Sequence, residues 1–518
     1  MAQPAASAGS RETQGRSAAK PDRRWLILVV VALAQLMVVL DATIVNIALP
    51  SAQRALGFAN SDRQWVVTAY ALAFGSLLLV GGRLGDMYSR KWVFITGLIG
   101  FAVASAIGGA ANSFLMLVAA RALQGAFGAI LAPSALGTLV STFRDPRERG
   151  RAFAVFGSVA VGGGAVGLLL GGLLTQFLSW RYTLFVNLIF AAIAVAGALA
   201  FIRSSRPADR PKMDFPGAVC ACAGLFLIVF GCSHAETASW TAALTIGSLA
   251  LGAVLLIAFV FVEQRVSHPL LPLRVILDRT RGGSYVAIGF TGVAVFGVFL
   301  FLTYYMQQVK GYSPVTTGLL FLPLVGGILV ASMLSSVVLL PRVGPRLLIA
   351  AGLLVAGGGT AYLGQLTVSS SYLGDILPAL IAMGLGFGMI FAPATNTATA
   401  GVPTKDSGVA SALVNTGQQV GGSIGVSVLS TIAASATTSY LLAHHAGPQA
   451  VAVAATHGYT LAFTISASLL GLGAVLAVLM LPSQRRLSEI NNSETTALIP
   501  APSPAVSDAA TPAPQRRK

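Results

Sequence analysis

Charge is scarce in this chain of 518 residues, with Asp, Glu, Lys and Arg making up only 10%, against roughly a quarter in ordinary soluble proteins. A large water-facing surface is excluded, and with it a soluble multi-domain enzyme. None of the lysines follows a glycine, so the phosphate-binding Gly-Lys-[Ser/Thr] of a nucleotide-driven pump is missing. Cysteine is limited to Cys220, Cys222 and Cys232. Their Cys-x-Cys spacing has no second cluster to complete a metal site, and small membrane-buried residues are the simpler reading. No metal or cofactor is expected. Histidine is equally sparse, and His234, His268, His444, His445 and His457 all fall in loops or at the ends of apolar runs.

What is abundant is apolar: 55% of residues are hydrophobic and 57 are glycine, a balance suited to closely packed helices in lipid. A helix needs about 20 apolar residues to cross the hydrocarbon core. Fourteen such runs are found, at about 25–49, 65–82, 92–111, 114–141, 152–174, 183–202, 215–231, 241–262, 284–307, 315–340, 347–366, 375–399, 408–436 and 459–481. Backbone amides cannot stay unpaired in lipid, and runs this long and continuous do not suit barrel strands. The fold class is therefore all-α, a polytopic membrane protein.

The excess of 33 basic over 17 acidic residues would suggest nucleic acid as a partner in a soluble protein. Its distribution says otherwise. With the N-terminus inside, 28 of the 33 fall in inner loops and tails, Arg54, Arg63, Arg181 and Lys310 lie outside, and Arg121 lies within a span. That is the asymmetry of a membrane protein with both termini in the cytoplasm, with some attraction to anionic lipid, and no nucleic acid is expected. Residues 1–24 and 482–518, rich in Ala, Ser, Pro and charge, have too little apolar content for a core and are expected to be disordered tails. No cleavable signal peptide is expected, because the first apolar run is long enough to span and follows a polar lead.

The six runs of residues 25–202 and the six of 283–481 share patterns in the same order, as in transporters built from related halves. Gly128, Ala132 and Pro133 have the spacing of Gly388, Ala392 and Pro393, and DMYSRKWVFI after span 2 has a weakened copy, PRVGPRLLI, after span 10. Spans 7 and 8, within 203–282, have no counterpart. The architecture reads six, plus two, plus six. Register through the two prolines places Arg121 opposite Ile381, and matching the first spans of each half places Asp41 opposite apolar residues near Val295. Charge belongs to the first half alone.

An ionisable side chain at the bilayer centre costs roughly 2.5 to 3.5 kcal/mol on insertion scales and is a functional hypothesis by default. Asp41 and Arg121 both fall about 10 to 13 Å below the outer face at 1.5 Å per residue. An ion pair across a shared cavity is then possible. Burial favours the neutral acid and a guanidinium favours the carboxylate, so a movement that alters either swings the affinity for a proton. The alternative is a pair that only fixes helix register. Gln124, three residues from Arg121, and Asn415, Gln418 and Gln419 have the spacing to line the same cavity, or to hydrogen-bond neighbouring helices.

These strings carry a resemblance covering about residues 25–481. The loop Gly82 to Lys91 (GRLGDMYSRK) resembles the motif between spans 2 and 3 of the major facilitator superfamily, with Ser89 in place of a usual glycine. Asp41 to Pro50 (DATIVNIALP) and Arg121 to Gly125 (RALQG) resemble the span 1 and span 4 strings of its drug:proton antiporters. WRYTLFVN with Asn187, EQRVSHPLLPL from Glu263, and GVASALVNTGQQVGGSIG from Gly408 are similar to the 14-span branch. Gly163, Gly167, Gly171 and Gly172 keep the helix-packing spacing of the span 5 antiporter motif, although Leu168 stands where proline is usual.

The resemblance implies a major facilitator fold of 14 helices and a proton-coupled multidrug efflux antiporter rather than an enzyme. Such a protein exports amphipathic or cationic small molecules across the plasma membrane by alternating access, as a monomer. Asp41 and Arg121 would couple protons, and Asn46, Gln124, Asn415, Gln418 and Gln419 would line the substrate cavity. Asp86 would accept hydrogen bonds from the N-terminus of span 13 near Ser407 and Gly408, and Arg90 would pair with Asp145 or Glu148, together latching the cytoplasmic side. An endogenous metabolite, lipid or peptide as cargo, or proton symport, remains an open alternative.

Overall fold

The computed structural model describes residues 23–143, 145–204, 214–266, 269–271, 273–399, 402, 407–443, 449–481 and 483. Fourteen helices are long and apolar enough to cross a membrane. They are α1 (Arg23–Leu56), α2 (Gln64–Met87), α3 (Arg90–Gly109), α4 (Phe114–Thr142), α5 (Pro146–Phe177), α6 (Tyr182–Phe201), α7 (Phe215–Thr237) and α8 (Ala243–Arg265). After a single helical turn at Leu273–Ile276 come α9 (Arg279–Val309), α10 (Pro314–Val343), α11 (Pro345–Leu363), α12 (Tyr372–Thr399), α13 (Ser407–Ala443) and α14 (Ala450–Met480). Among the described residues there is no strand. The end bearing the α1–α2 and α3–α4 turns is called the outer end here, after the basic-residue asymmetry.

Side-chain caps fix several boundaries. The Ser113 hydroxyl accepts from Met116 N, the Asp214 carboxylate from Gly217 N, and the Asp278 carboxylate from Arg281 N. Each satisfies one otherwise unpaired amide of a first turn. Most helices run several residues beyond the expected apolar runs, and at two ends the difference moves a charged or titratable residue. Arg23 and Arg24 belong to α1 rather than to a tail: Arg23 bonds the carbonyls of Ala200 and Phe201 at the end of α6, and Arg24 pairs with Glu148. His457 lies seven residues inside α14, because that helix begins at Ala450. Apart from residue 483, the rest of both tails lies outside the described residues.

The packing repeats itself. In the first half α1 packs on α5 and α6, α4 on α2 and α3, and α3 on α6; in the last six helices α9 packs on α13 and α14, α12 on α10 and α11, and α11 on α14. Close approaches at glycine set the register of both copies. A methyl group at Gly125 would lie 2.2 Å from the Tyr70 carbonyl oxygen, and one at Gly384 would lie 2.3 Å from that of Leu324, so only glycine fits either crossing.

This seating corrects the alignment expected from the prolines. Gly125 matches Gly384, so Arg121 stands opposite Leu380, which is buried, whereas Ile381 is 42% exposed. Pro133 is half-buried and Pro393 buried; the second copy carries one more residue between glycine and proline. Similarly, Gly167 and Gly171 pack on Leu40 and Ile44, and Gly421 and Gly425 on Gly289 and Val293. That register sets Phe290 opposite Asp41.

The inserted helices α7 and α8 pack on each other, and α7 also lies against α2 and α13. Gln64 of α2 bonds Ser233, and Thr431 of α13 bonds the Cys232 carbonyl. The halves also meet directly at α2–α13 and α5–α10. At the latter, methyl groups at Gly172 and Gly318 would strike the backbone of Pro314 and Val315 and of Leu168.

Candidate functional site

A buried polar cluster in the first half is built on five helices, α1, α2, α3, α4 and α6. Asp41 sits mid-way along α1, completely buried, and Arg121 on α4 is 2% exposed. Their Nη1–Oδ2 distance is 2.5 Å. On its other oxygen the carboxylate accepts from Gln124 Nε2 at 2.8 Å and Asn187 Nδ2 at 2.7 Å. Both amides also donate to the Ser105 hydroxyl on α3, at 2.7 and 3.3 Å. Arg121 has further support: its Nε donates to the Val66 carbonyl at 3.2 Å, its Nη1 to Gln124 Oε1 at 2.9 Å, and its guanidinium lies 4.4 Å from the centre of the Tyr70 ring.

A buried ion pair is stable only when its remaining donors and acceptors are met and the geometry is good. Here, protein groups do what water would do elsewhere. The cavity that the two were expected to share is closed in this arrangement, since neither side chain is more than 2% exposed. Beside Arg121 is a cavity of about 10 Å³, walled by Val45, Ala48, Leu49, Val66 and Leu117, barely room for one water and with apolar walls. Equal depth along α1 and α4 was the expectation, and in the structure the two charges meet as an ion pair.

The other expected residues are placed as follows. Gln124 belongs to the Asp41 cluster and is completely buried, so it lines no open wall. Asn46, one turn from Asp41, donates to the Ala42 carbonyl at 2.8 Å, leaving its buried Oδ1 without a partner among the described residues. On α13 Asn415 is exposed and Gln418 half-buried, while Gln419 lies against Gly75 of α2 with its Oε1 buried and unpartnered. These three do not join Asp41. Gly163, Gly167 and Gly171 face α1 as a packing stripe, whereas Gly172 turns to α10 of the other half. Leu168 is buried within an α5 that continues unbroken from Pro146 to Phe177.

At the inner end, Glu148 is engaged by Arg24 at 2.8 Å, Asp145 caps α5 by accepting from Glu148 N at 3.0 Å, and Arg90 donates to the Gly137 carbonyl at 3.2 Å. The side chains of Asp86 and Ser407 and the surroundings of Gly408 lie outside the described residues, and so does the contact expected between them.

Asn187, quoted within a longer string, and Ser105 and Tyr70, not singled out at all, are the members of the cluster that sequence reasoning missed. Asn187 carried a legible signal, an amide in an α6 whose other residues are almost all apolar. Ser105 carried none, since small hydroxyls are common at helix contacts in membranes.

The comparisons with known proteins agree with this architecture. The family model described as Major Facilitator Superfamily matches residues 31–426. The Puromycin resistance protein pur8 of Streptomyces alboniger is 48% identical over 476 residues, covering 91% of this chain and 94% of its own. The Cephamycin export protein CmcT of Amycolatopsis lactamdurans is 41% identical over 437 residues, covering 82% and 89%. Among solved structures, an auto-inhibited POT family peptide transporter superposes with a TM-score of 0.64 at 17% identity, covering 88% of this chain and 97% of that one. A bacterial homologue of the human lysosomal transporter Spinster, inward-facing and unoccupied, gives 0.62 at 17% identity, covering 91% and 99%; both likenesses speak to fold alone. Fourteen membrane-length helices, a six-plus-two-plus-six plan and these matches together make the chain a multi-pass transporter, not an enzyme, and a member of the Major Facilitator Superfamily.

Proposed function

We propose that this transporter is a proton-coupled exporter of amphipathic or cationic small molecules, antibiotics among them, acting as a monomer in the plasma membrane with both termini in the cytoplasm. The observation that carries the reading is the dry carboxylate of Asp41, held by Arg121, Gln124 and Asn187 within a span whose counterpart in the second half is apolar. The relatives named for resistance to puromycin and for export of cephamycin support efflux of drugs over uptake and over lipid or peptide cargo.

Protonation of Asp41 removes the charge that Arg121 neutralises. The guanidinium keeps the Val66 carbonyl, the Gln124 oxygen and the Tyr70 ring, so the cation stays in place while its bond to the acid weakens. Helices α1 and α4 are then less tightly joined. In the cycle, cargo binds from inside while Asp41 is ionised, and protonation from the outer side favours release. A proton entering down 100 mV supplies about 2.3 kcal/mol, enough for a gradient of roughly fifty-fold in an uncharged cargo, whereas one-for-one exchange with a monovalent cation is electroneutral and draws on the pH difference alone. The amides on α13, Asn415, Gln418 and Gln419, together with Asn46, supply hydrogen-bonding groups for cargo between the halves. Asp86 with the α13 N-terminus, and the Arg90, Asp145 and Glu148 group, serve as the inner latch.

The test is transport by purified protein in liposomes under an imposed pH gradient, screened over dyes and antibiotics. Asp41→Asn is expected to reduce gradient-driven transport to background while the protein remains monodisperse and still exchanges labelled for unlabelled cargo. Full pumping by that variant refutes the assignment.

A further inference from the structure

Among the outer basic residues, Arg63 is the one that crosses from the first half into the last. It precedes α2 and is 6% exposed. Its guanidinium carbon lies 4.3 Å from the centre of the Tyr304 ring, 5.4 Å from that of Tyr459 and 5.8 Å from that of Phe301, and Nη1 donates to the Tyr459 hydroxyl at 3.2 Å. Three electron-rich ring faces around one delocalised cation is the arrangement by which proteins recognise organic cations.

Ownership of the parts is what matters. Phe301 and Tyr304 are on α9 and Tyr459 is on α14, so the box belongs wholly to the last six helices, while its occupant belongs to the first six. The box also has support that does not involve Arg63: the Phe301 ring packs on Tyr459 at 5.8 Å and edge-on to Phe463 at 6.3 Å, and Phe301, Tyr304 and Tyr459 are all buried. Opening the outer end moves one half from the other, which withdraws Arg63 and leaves a preformed aromatic box facing the outside. Gln307 Nε2, which donates to the Ile47 carbonyl at 3.0 Å, is released by the same movement.

We propose that the Phe301, Tyr304 and Tyr459 box is an outer-facing binding site for organic cations, which Arg63 occupies as a tethered plug whenever the outer end is closed. Cargo and the plug compete for one site, so re-entry of Arg63 both displaces a bound cation and reseals the outer end. The inference rests on the alternating-access part of the proposed function. It is independent of proton coupling and of direction, and it is tested by binding with no gradient imposed.

Binding of ethidium to purified protein in nanodiscs, read by fluorescence anisotropy, separates the outcomes, with the uncharged dye Nile red as control. A site occupied by its own plug about nine-tenths of the time binds roughly tenfold more weakly than the vacant site. Arg63→Ala is therefore expected to tighten ethidium binding by about that factor and to leave Nile red unchanged, and adding Tyr304→Leu to Arg63→Ala is expected to abolish the gain. Unchanged or weaker ethidium binding by Arg63→Ala overturns the proposal, and so does a gain that survives Tyr304→Leu or is shared by Nile red. Should Arg63→Ala not fold, Arg63→Gln, which keeps hydrogen-bonding capacity but no charge, is judged by the same outcomes.

Discussion

The two halves solve the same packing problem and differ in what they do at its centre. Gly125 and Gly384 both seat their helix against a neighbouring carbonyl, yet Arg121, Gln124 and Asp41 in one half correspond to Leu380, Met383 and Phe290 in the other. The second half demonstrates that these positions need only volume, so the ionic cluster of the first half is an addition to the scaffold rather than part of it. The duplicated scaffold thus carries its own apolar control.

The largest effect is expected from giving the first half the residue of the second. Arg121→Leu leaves Asp41 buried with amides alone, and removing one partner of a buried pair costs about 3 to 5 kcal/mol. A lower thermal midpoint and loss of transport are expected. Combining it with Asp41→Asn recovers part of the stability and none of the gradient-driven transport; a double variant no more stable than Arg121→Leu would mean that the scaffold itself needs the pair.

A smaller loss, about 1.5 to 3 kcal/mol for a hydrogen bond to a charged group, is expected for Asn187→Ala, measured as thermal stability against wild type. The loss should shrink in an Asp41→Asn background, where the acceptor is neutral, and an undiminished loss would assign Asn187 to packing. Gly125→Ala and Gly384→Ala are expected to be matched at about 1 to 3 kcal/mol each, the range for overpacking. A silent Gly384→Ala would break the equivalence of the two crossings.

Much of this was legible in the sequence because lipid leaves the chain few choices. Runs such as Trp25 to Leu49 must be helices, and an Asp or Arg within one must find a partner. What was not legible depends on distance rather than type. The prolines gave a register one residue out in α12, because a proline marks a bend while a glycine marks a contact, and the two are spaced differently in the two halves. Gln124 was left between lining a cavity and bonding a neighbouring helix, because its spacing from Arg121 gives the same helix face but not what lies opposite. Asn187 and Ser105, from α6 and α3, fill that space, and nothing local to either segment announces it.

Cys232 and Ser233 are successive residues, and one is tied to α13 through Thr431 while the other is tied to α2 through Gln64. The inserted hairpin thus ties a helix of each half to a single peptide, a crosslink whose two hydrogen bonds must stretch or break before α2 and α13 can part at that level.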